Sequence, residues 1–262
     1  MKRSFLKTAL GALLISVLVF GWAQAQDLKT IKLLEPNKKR GLPVMEALSV
    51  RASVRDWSAR DLSLQDLSDL LWAANGINRP DSGKRTAPSA MNAQDVDIYV
   101  FMKNGAYLYD ARQHLLNPVV GGDHRAEITM RPPGGPGGPP AAKPEDQPPA
   151  KPEAPPEAKR EGPPPAPPEG GPAGPPSPAP IQLILVSDTS RFNRGTPEQK
   201  YEWACLDTGI VSQNISLFCA GTGLATRPRA SVNKDLARSL LKLKEAQFPI
   251  LNHPVGYPPK SL

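Results

Sequence analysis

The stretch from Arg131 to Pro180, RPPGGPGGPPAAKPEDQPPAKPEAPPEAKREGPPPAPPEGGPAGPPSPAP, holds 21 of the 32 prolines in this 262-residue chain and sits near its middle. Such a composition favours extended polyproline conformations and disorder, and offers no apolar surface for a packed core. Placed mid-chain, it either joins two domains or interrupts one. The sequence on its two sides decides which.

Ahead of the tract, PVMEALSVRAS shows helical spacing through Val44, Ala47, Leu48 and Val50. SLQDLSDLLWAANG predicts a stronger helix. Ser63 and Asp66 make a near capping box, Leu64, Leu67, Leu70, Leu71 and Ala74 share a face, and Gly76 is placed to close the end. VDIYVFMKNGAYLYD then reads as two strands joined at Asn104-Gly105, a strong hairpin signal. Beyond the tract, IQLILVSD is a continuous apolar run of strand length, as expected of a buried central strand. A long helix is predicted from about Pro197 through EQKYEWACLDTGIVSQNISLFCAGTG. Its apolar residues extend around most of the circumference, so it is expected to be nearly enclosed. VNKDLARSLLKL predicts an amphipathic helix and FPILNHPVGYP a last strand. Neither side can bury its own apolar faces, since units of roughly 80 residues are marginal even when well patterned. Together they make an ordinary α+β sandwich. The expectation is therefore one domain, residues 42–262, interrupted by the tract at 131–180 and preceded by a polar arm at 26–41.

The N-terminus, MKRSFLKTALGALLISVLVFGWAQAQ, has the three parts of an export signal over residues 1–25. Lys2, Arg3 and Lys7 form a basic start, an apolar run extends from about Ala9 to Phe20, and Ala23-Gln24-Ala25 is a cleavage-type ending. An uncleaved anchor is the alternative. KRSFLK resembles the twin-arginine export consensus with Lys2 in place of the first arginine, and an ordinary secretory (Sec) signal is the other option. Both routes make the protein exported, with the periplasm as its expected place. The formal net charge of +7 includes the three cations of the signal, while the tract balances five basic against six acidic residues. No Lys/Arg run of the kind that binds nucleic acid remains. Cys205 and Cys219 fall in the same predicted helix, ~21 Å of rise apart and beyond the ~7 Å reach of a disulfide. Two buried thiols are expected.

Signals for side-chain catalysis are thin. His114, His124 and His253 are scattered without metal-ligand spacing, and no metal site is expected. There is no Gly-x-Ser-x-Gly, no Gly-rich phosphate loop and no paired-carboxylate motif. A chain of this kind borrows its chemistry from a cofactor or has none. RASVRDW (Arg51 to Trp57), TAPSAMNAQ (Thr86 to Gln94), DTGIVSQNISLFCAGTGLAT (Asp207 to Thr226) and the late PVGYP occur in an order and at separations that decide between these. Together they resemble the FMN-dependent nitroreductase superfamily, most of all the branch containing the azoline (thiazole- and oxazole-forming) dehydrogenases. The resemblance runs from about Leu42 to Lys260, leaving out the tract. It implies a nitroreductase-like sandwich, a mainly antiparallel central sheet flanked by helices, in an obligate homodimer with FMN at the subunit interface.

Read as residues, Arg51, Ser53 and Arg55 alternate, so an extended segment points all three the same way. Two guanidiniums and a hydroxyl on one side suit a phosphate and a ribityl chain; a solvent-exposed basic turn is the plainer alternative. The resemblance implies the former. It also implies that Pro88, Ser89 and Asn92 reach the flavin from the partner subunit, with Ala90 replacing a serine of the family pattern. In GLATRPRAS it places backbone amides of Arg229, Ala230 and Ser231 near flavin N5 and O4; Pro228 has no N–H. Arg227 and Arg229 are otherwise plain surface charges. Lys260 matches a late basic residue that closes over the phosphate. Asp207, Gly209, Gln213 and Asn214 read as structural, with Gly209 allowing close packing at the dimer interface. No side chain is expected to be catalytic, because the resemblance implies ping-pong hydride transfer through flavin N5, from a small-molecule donor to a small-molecule acceptor. The alternatives are an azoline-type or other substrate dehydrogenase or oxidase, and a non-catalytic envelope protein whose Pro-rich arm docks an envelope partner.

Overall fold

The computed structural model of the chain describes residues 28–129 and 178–259. The expected export signal (1–25), the start of the polar arm, all but the end of the 131–180 tract, and Lys260 lie outside the described residues. Along the chain the elements are β1 (Ile31–Lys32), α1 (Val44–Val50), α2 (Leu64–Asn75), β2 (Ile77–Arg79), β3 (Lys84–Arg85), β4 (Val96–Met102) and β5 (Gly105–Asp110). Then come β6 (Leu115–Gly121), β7 (Ile181–Asp188), α3 (Pro197–Thr222), β8 (Ala225–Thr226), α4 (Lys234–Leu241) and β9 (Gln247–Gly256).

β7 explains the architecture. Its residues Ile181, Leu183 and Leu185 join one apolar cluster with Leu67, Leu70 and Leu71 of α2 and Val211, Ile215 and Cys219 of α3. Ile184 and Val186 join a second with Ala237 and Leu241 of α4. A strand buried on both faces must be apolar at both parities, which is why IQLILVSD does not alternate. β4 lies against it in antiparallel register from Val96↔Ser187 to Phe101↔Gln182. Strands from before residue 131 and after residue 180 thus alternate in one seven-stranded sheet, ordered β1-β6-β5-β4-β7-β9-β8, with every neighbouring pair antiparallel. β2 and β3 form a separate ribbon. The fold is mixed α+β, a large antiparallel sheet with helices on it.

Local signals position the helices. In α2 the Ser63 hydroxyl accepts the Asp66 N–H, and Gly76 returns its N–H to the Trp72 carbonyl. Gly76 keeps an ordinary negative φ, so its value is space: a Cβ there would meet the Trp72 ring at 2.5 Å. In α3, Thr196 and Gln199 complete a reciprocal capping box and Gly223 ends the helix at φ +74.

The expected enclosure of α3 is corrected. Its inner face is partly polar, with Asp207, Thr208, Ser212 and Ser216 buried beside Val211 and Ile215. Its apolar residues are therefore divided between the sheet side and an outer stripe, where Leu206 is 63% exposed and Gly209, Ile210 and Gln213 are also open. Cys219 is buried as expected, but Cys205 is only half-buried; both are free thiols.

Candidate functional site

The segment after α1 is extended and held from several sides. Val54 donates its N–H to the Thr226 carbonyl of β8 (3.0 Å), and Ser58 to the Tyr257 carbonyl (2.8 Å). The Tyr257 hydroxyl accepts the Ser63 N–H at 3.1 Å and donates to Asp66, while Arg60 stacks 3.5 Å from the Tyr257 ring centroid. Burial alone would raise the Asp66 carboxyl; bonds from Ser63, Tyr257 and Arg40 outweigh it and hold the group below the usual carboxylate range. Gly256, the glycine of PVGYP, leaves room for this packing: a Cβ there would stand 2.8 Å from Pro180 Cδ and 3.0 Å from Trp57 Cβ. Around the Val54 anchor Arg51, Ser53 and Arg55 are exposed, as are Ala52 and Asp56, while Val54 is half-buried.

The Thr226 end of that contact leads into the second segment. Arg229 and Asn252 exchange backbone bonds (2.9 and 2.8 Å), and the Asn252 side chain donates to the Ser231 carbonyl. The Arg229 N–H is thereby committed to the sheet, which corrects its expected use as a ring-facing amide; those of Ala230 and Ser231 remain. Arg227 and Arg229 are half-buried on either side of exposed Pro228. Arg229 Nε donates to Ser231 Oγ at 3.2 Å, while Arg227 Nε and Asn252 Oδ1 are buried with no hydrogen-bond partner among the described residues. Burial, and next the charge of Arg227, lower the Arg229 pKa. Beneath them His253 Nε2 lies 2.8 Å from Ser212 Oγ and Nδ1 lies 3.2 Å from Thr226 Oγ1, which itself donates to the Pro254 carbonyl. Burial pushes His253 down to about 3, so it is a neutral core imidazole tying β8 to α3.

The third segment is a strained turn. Met91, Asn92 and Gln94 have φ of 54, 55 and 50°, a region that costs most L-residues roughly 1–2 kcal/mol each and that asparagine tolerates best. One long-range bond and three local ones hold it there. Ala90 donates its N–H to Asp207 Oδ2 (2.8 Å) and Gln94 its N–H to Ser89 Oγ (2.8 Å). The Gln94 side chain accepts from Arg85 Nε (3.0 Å) and donates to the Gly83 carbonyl (3.1 Å). Pro88 and Asn92 are left exposed, with Ser89 half-buried. Strain sustained this way is a mark of functional segments.

Arg51, Ser53 and Arg55 therefore sit with the 225–231 segment, whereas Pro88, Ser89 and Asn92 do not join them within one chain. Thr226 pairs with Val255, and Val255 with Ile181, at the start of β7. The 88–94 turn leads into Asp95, whose carbonyl accepts the Asp188 N–H at the other end of β7. Eight strand residues separate the two, ~23 Å. The sequence reading did not single out Gln94, Asn252 or the buried Asp95, because their roles depend on partners far away in the chain.

The donor set suits a phosphate-bearing ring. Arg51, Arg55, Arg227 and Arg229 form no ion pair among the described residues, and Arg227 adds an orphaned buried donor. FMN offers both the phosphate and the ring edge such donors take. Residues 48–257 match the model of the nitroreductase family. The chain belongs to the nitroreductase family. Among nitroreductase relatives, a Methanocaldococcus jannaschii protein assigned to the nitroreductases is 24% identical over 217 residues, covering 80% of this chain and 89% of the relative. A crystal structure of a Ralstonia eutropha JMP134 protein, also assigned to the nitroreductases, matches with TM-score 0.68 and 26% identity, over 90% of this chain and 93% of that one. The E. coli microcin synthetase McbBCD complex, solved with truncated pro-MccB17 bound, shares the fold (TM-score 0.56, 14% identity, 88% of this chain and 78% of that chain).

Proposed function

We propose that this nitroreductase-family oxidoreductase is an exported, FMN-dependent homodimer that passes electrons from a small-molecule donor to a small-molecule acceptor. The observation that carries the reading is the unpaired arginine set on two segments fastened by the Val54–Thr226 bond. In it Arg51 and Arg55 hold the phosphate, Ser53 the ribityl hydroxyls, and the amides of Ala230 and Ser231 the ring edge, with Lys260 closing over the phosphate. Bound FMN supplies the two-electron chemistry that no side chain here provides. The protein orients the ring and keeps its reacting edge hydrogen-bonded.

The homodimer is supported by what one chain lacks. The Asn92 turn lies a strand's length from the arginines, so a second copy has to bring it to them. Exposed apolar side chains are available for that copy: Met45 (73% exposed), Val44 and Leu48 of α1, which packs at the Gly221 end of α3, and Leu206 and Ile210 further along α3. Gly209 stands in this stripe with open space at its Cβ position, suited to a close helix approach. Burying such side chains is worth roughly 1.5–3 kcal/mol each.

The test is an FMN titration of the purified, unfused protein. Wild type should be yellow or take up FMN, and Arg51→Ala should weaken binding about 10- to 100-fold, the worth of a charge-assisted bond. Protein that binds no FMN, or an Arg51→Ala variant of unchanged affinity, refutes the assignment and favours a non-catalytic envelope role. Leu206→Glu should yield monomers in sedimentation and lower FMN affinity with them.

A further inference from the structure

Within the unpaired arginine set, the guanidiniums of Arg227 and Arg229 have been given no particular group to hold, and their setting calls for one. They stand two apart in an extended stretch, so both side chains leave on one side, with exposed Pro228 between them. They are near enough that the charge of Arg227 acts on Arg229. Other partly buried arginines of this chain are satisfied: Arg40 pairs with Asp66 and Asp69, Arg125 with Asp123 and Arg191 with Asp97, while Arg85 bonds to Gln94 and Arg238 to the Lys244 carbonyl. Arg229 bonds instead to the uncharged Ser231 and, through its backbone, Asn252. The segment fastened beside them, Arg51 to Arg55, adds positive charge rather than removing it. Arg227 Nε is buried and bonds to nothing among the described residues. Two like charges taken partly out of water without a counter-ion are costly, and an anion removes that cost. Planar guanidinium forks match carboxylate and phosphate oxygens.

We propose that Arg227 and Arg229 form an anion subsite beside the Ala230–Ser231 ring-edge segment, taking a carboxylate or phosphate group. The proposal rests on the flavoprotein reading for its location. Two sources share this chemistry: the phosphate of FMN itself, and an anionic group on the electron acceptor. In the second case the enzyme selects acceptors that carry a carboxylate or phosphate.

The experiment compares wild type with the Arg227→Gln/Arg229→Gln variant, in dissociation constants for FMN and riboflavin and in KM for 4-nitrobenzoate and 4-nitrobenzamide. If the subsite holds the cofactor phosphate, the variant loses about ten-fold or more in FMN affinity with riboflavin unchanged. If it holds the acceptor, KM for 4-nitrobenzoate rises by a similar factor while that for 4-nitrobenzamide and the FMN affinity stay put. Unchanged values throughout, or equal losses for the charged and uncharged member of each pair, overturn the proposal. If wild type binds no FMN, the flavoprotein reading fails by itself. The subsite is then tested by thermal stabilisation with inorganic phosphate and with benzoate. A rise in melting temperature seen for wild type and absent in the variant supports it, and equal shifts overturn it. Should the Gln pair not fold, Arg227→Lys/Arg229→Lys keeps charge and stem, and carries the same readouts at about three- to ten-fold.

Discussion

Asp95 and His253 are both buried ionisable groups, and they bias the protein's pH response in opposite directions. Ser187 donates to one oxygen of Asp95; the other has no such donor and lies beside Asp207. Burial first, and then Asp207, push Asp95 up to about 7. A carboxyl raised in the fold contributes stability that is full below its unfolded pKa of ~3.9 and is lost as pH rises through about 7. His253, depressed by burial to about 3, behaves the other way: its contribution is full above ~6.5 and is lost as pH falls toward 3. Between about pH 4 and 6.5 the two slopes offset one another. Asp95→Asn keeps an acceptor for Ser187 and offers Asp207 a donor, so it removes only the first slope. The variant should then lose stability on acidification about 1.4 kcal/mol per pH unit more steeply than wild type, read from urea denaturation between pH 4.5 and 6.5. Parallel curves would show Asp95 to be ionised throughout. None of this was legible in the sequence, because Asp95 depends on Ser187 and Asp207, each more than 90 positions away. The Arg51-Ser53-Arg55 set was legible, since alternation along one short segment is local information.

Elements divided along the same line. The helices were foreseen because their caps are written nearby, Ser63 with Asp66 and Thr196 with Gln199. β6 was missed, since LLNPVVG carries an interior proline and asparagine and exists as a strand through its pairing with β5. β1 and β8, two residues each, exist only through β6 and β9. The outer stripe of α3 was misread as core for a related reason: periodicity shows which residues are apolar, not which chain covers them. PVGYP was recognised as a motif, and the structure supplies its physical meaning, the contact of Gly256 with Pro180 and Trp57. Neither neighbouring atom is the end of a flexible side chain, so Gly256→Ala has to displace Pro180 and press on Trp57 of the 51–58 segment. It should cost about 1–3 kcal/mol, the usual price of overpacking, and weaken FMN binding along with the melting temperature. Thr196→Ala, which removes a cap remote from that segment, should cost ~1 kcal/mol in the same melt and leave FMN affinity as it was.

At the scale of the whole molecule, β4 and β7 lie side by side although residues 103–180 come between them in the chain. The two edges of the proline-rich tract are also fastened to each other. Arg125, gripped by Asp123 through Nε and Nη2 at 2.8 and 2.7 Å, extends Nη1 to the carbonyls of Ala179 and Pro180 at 3.3 and 3.0 Å. Thr129 is four residues from Arg125 along the chain, and Pro178 is next to Ala179. The departure and return points are thus within a short span of one another. A linker of about six Gly/Ser residues is of ordinary length for joining such ends. Replacing the 48 residues 130–177 by such a linker should leave a cooperatively folding protein with wild-type FMN affinity. Closing a loop eight-fold shorter costs less entropy, three halvings at ~0.6 kcal/mol each, so the shortened chain should gain about 2 kcal/mol if the tract acts as a plain loop. A smaller gain measures interactions that the tract makes with the domain. Loss of folding would mean that the sheet depends on the tract, and the single interrupted domain would have to be abandoned. Arg125→Met in the shortened chain separates closure from clasp: it should lower stability while the linker still joins the ends.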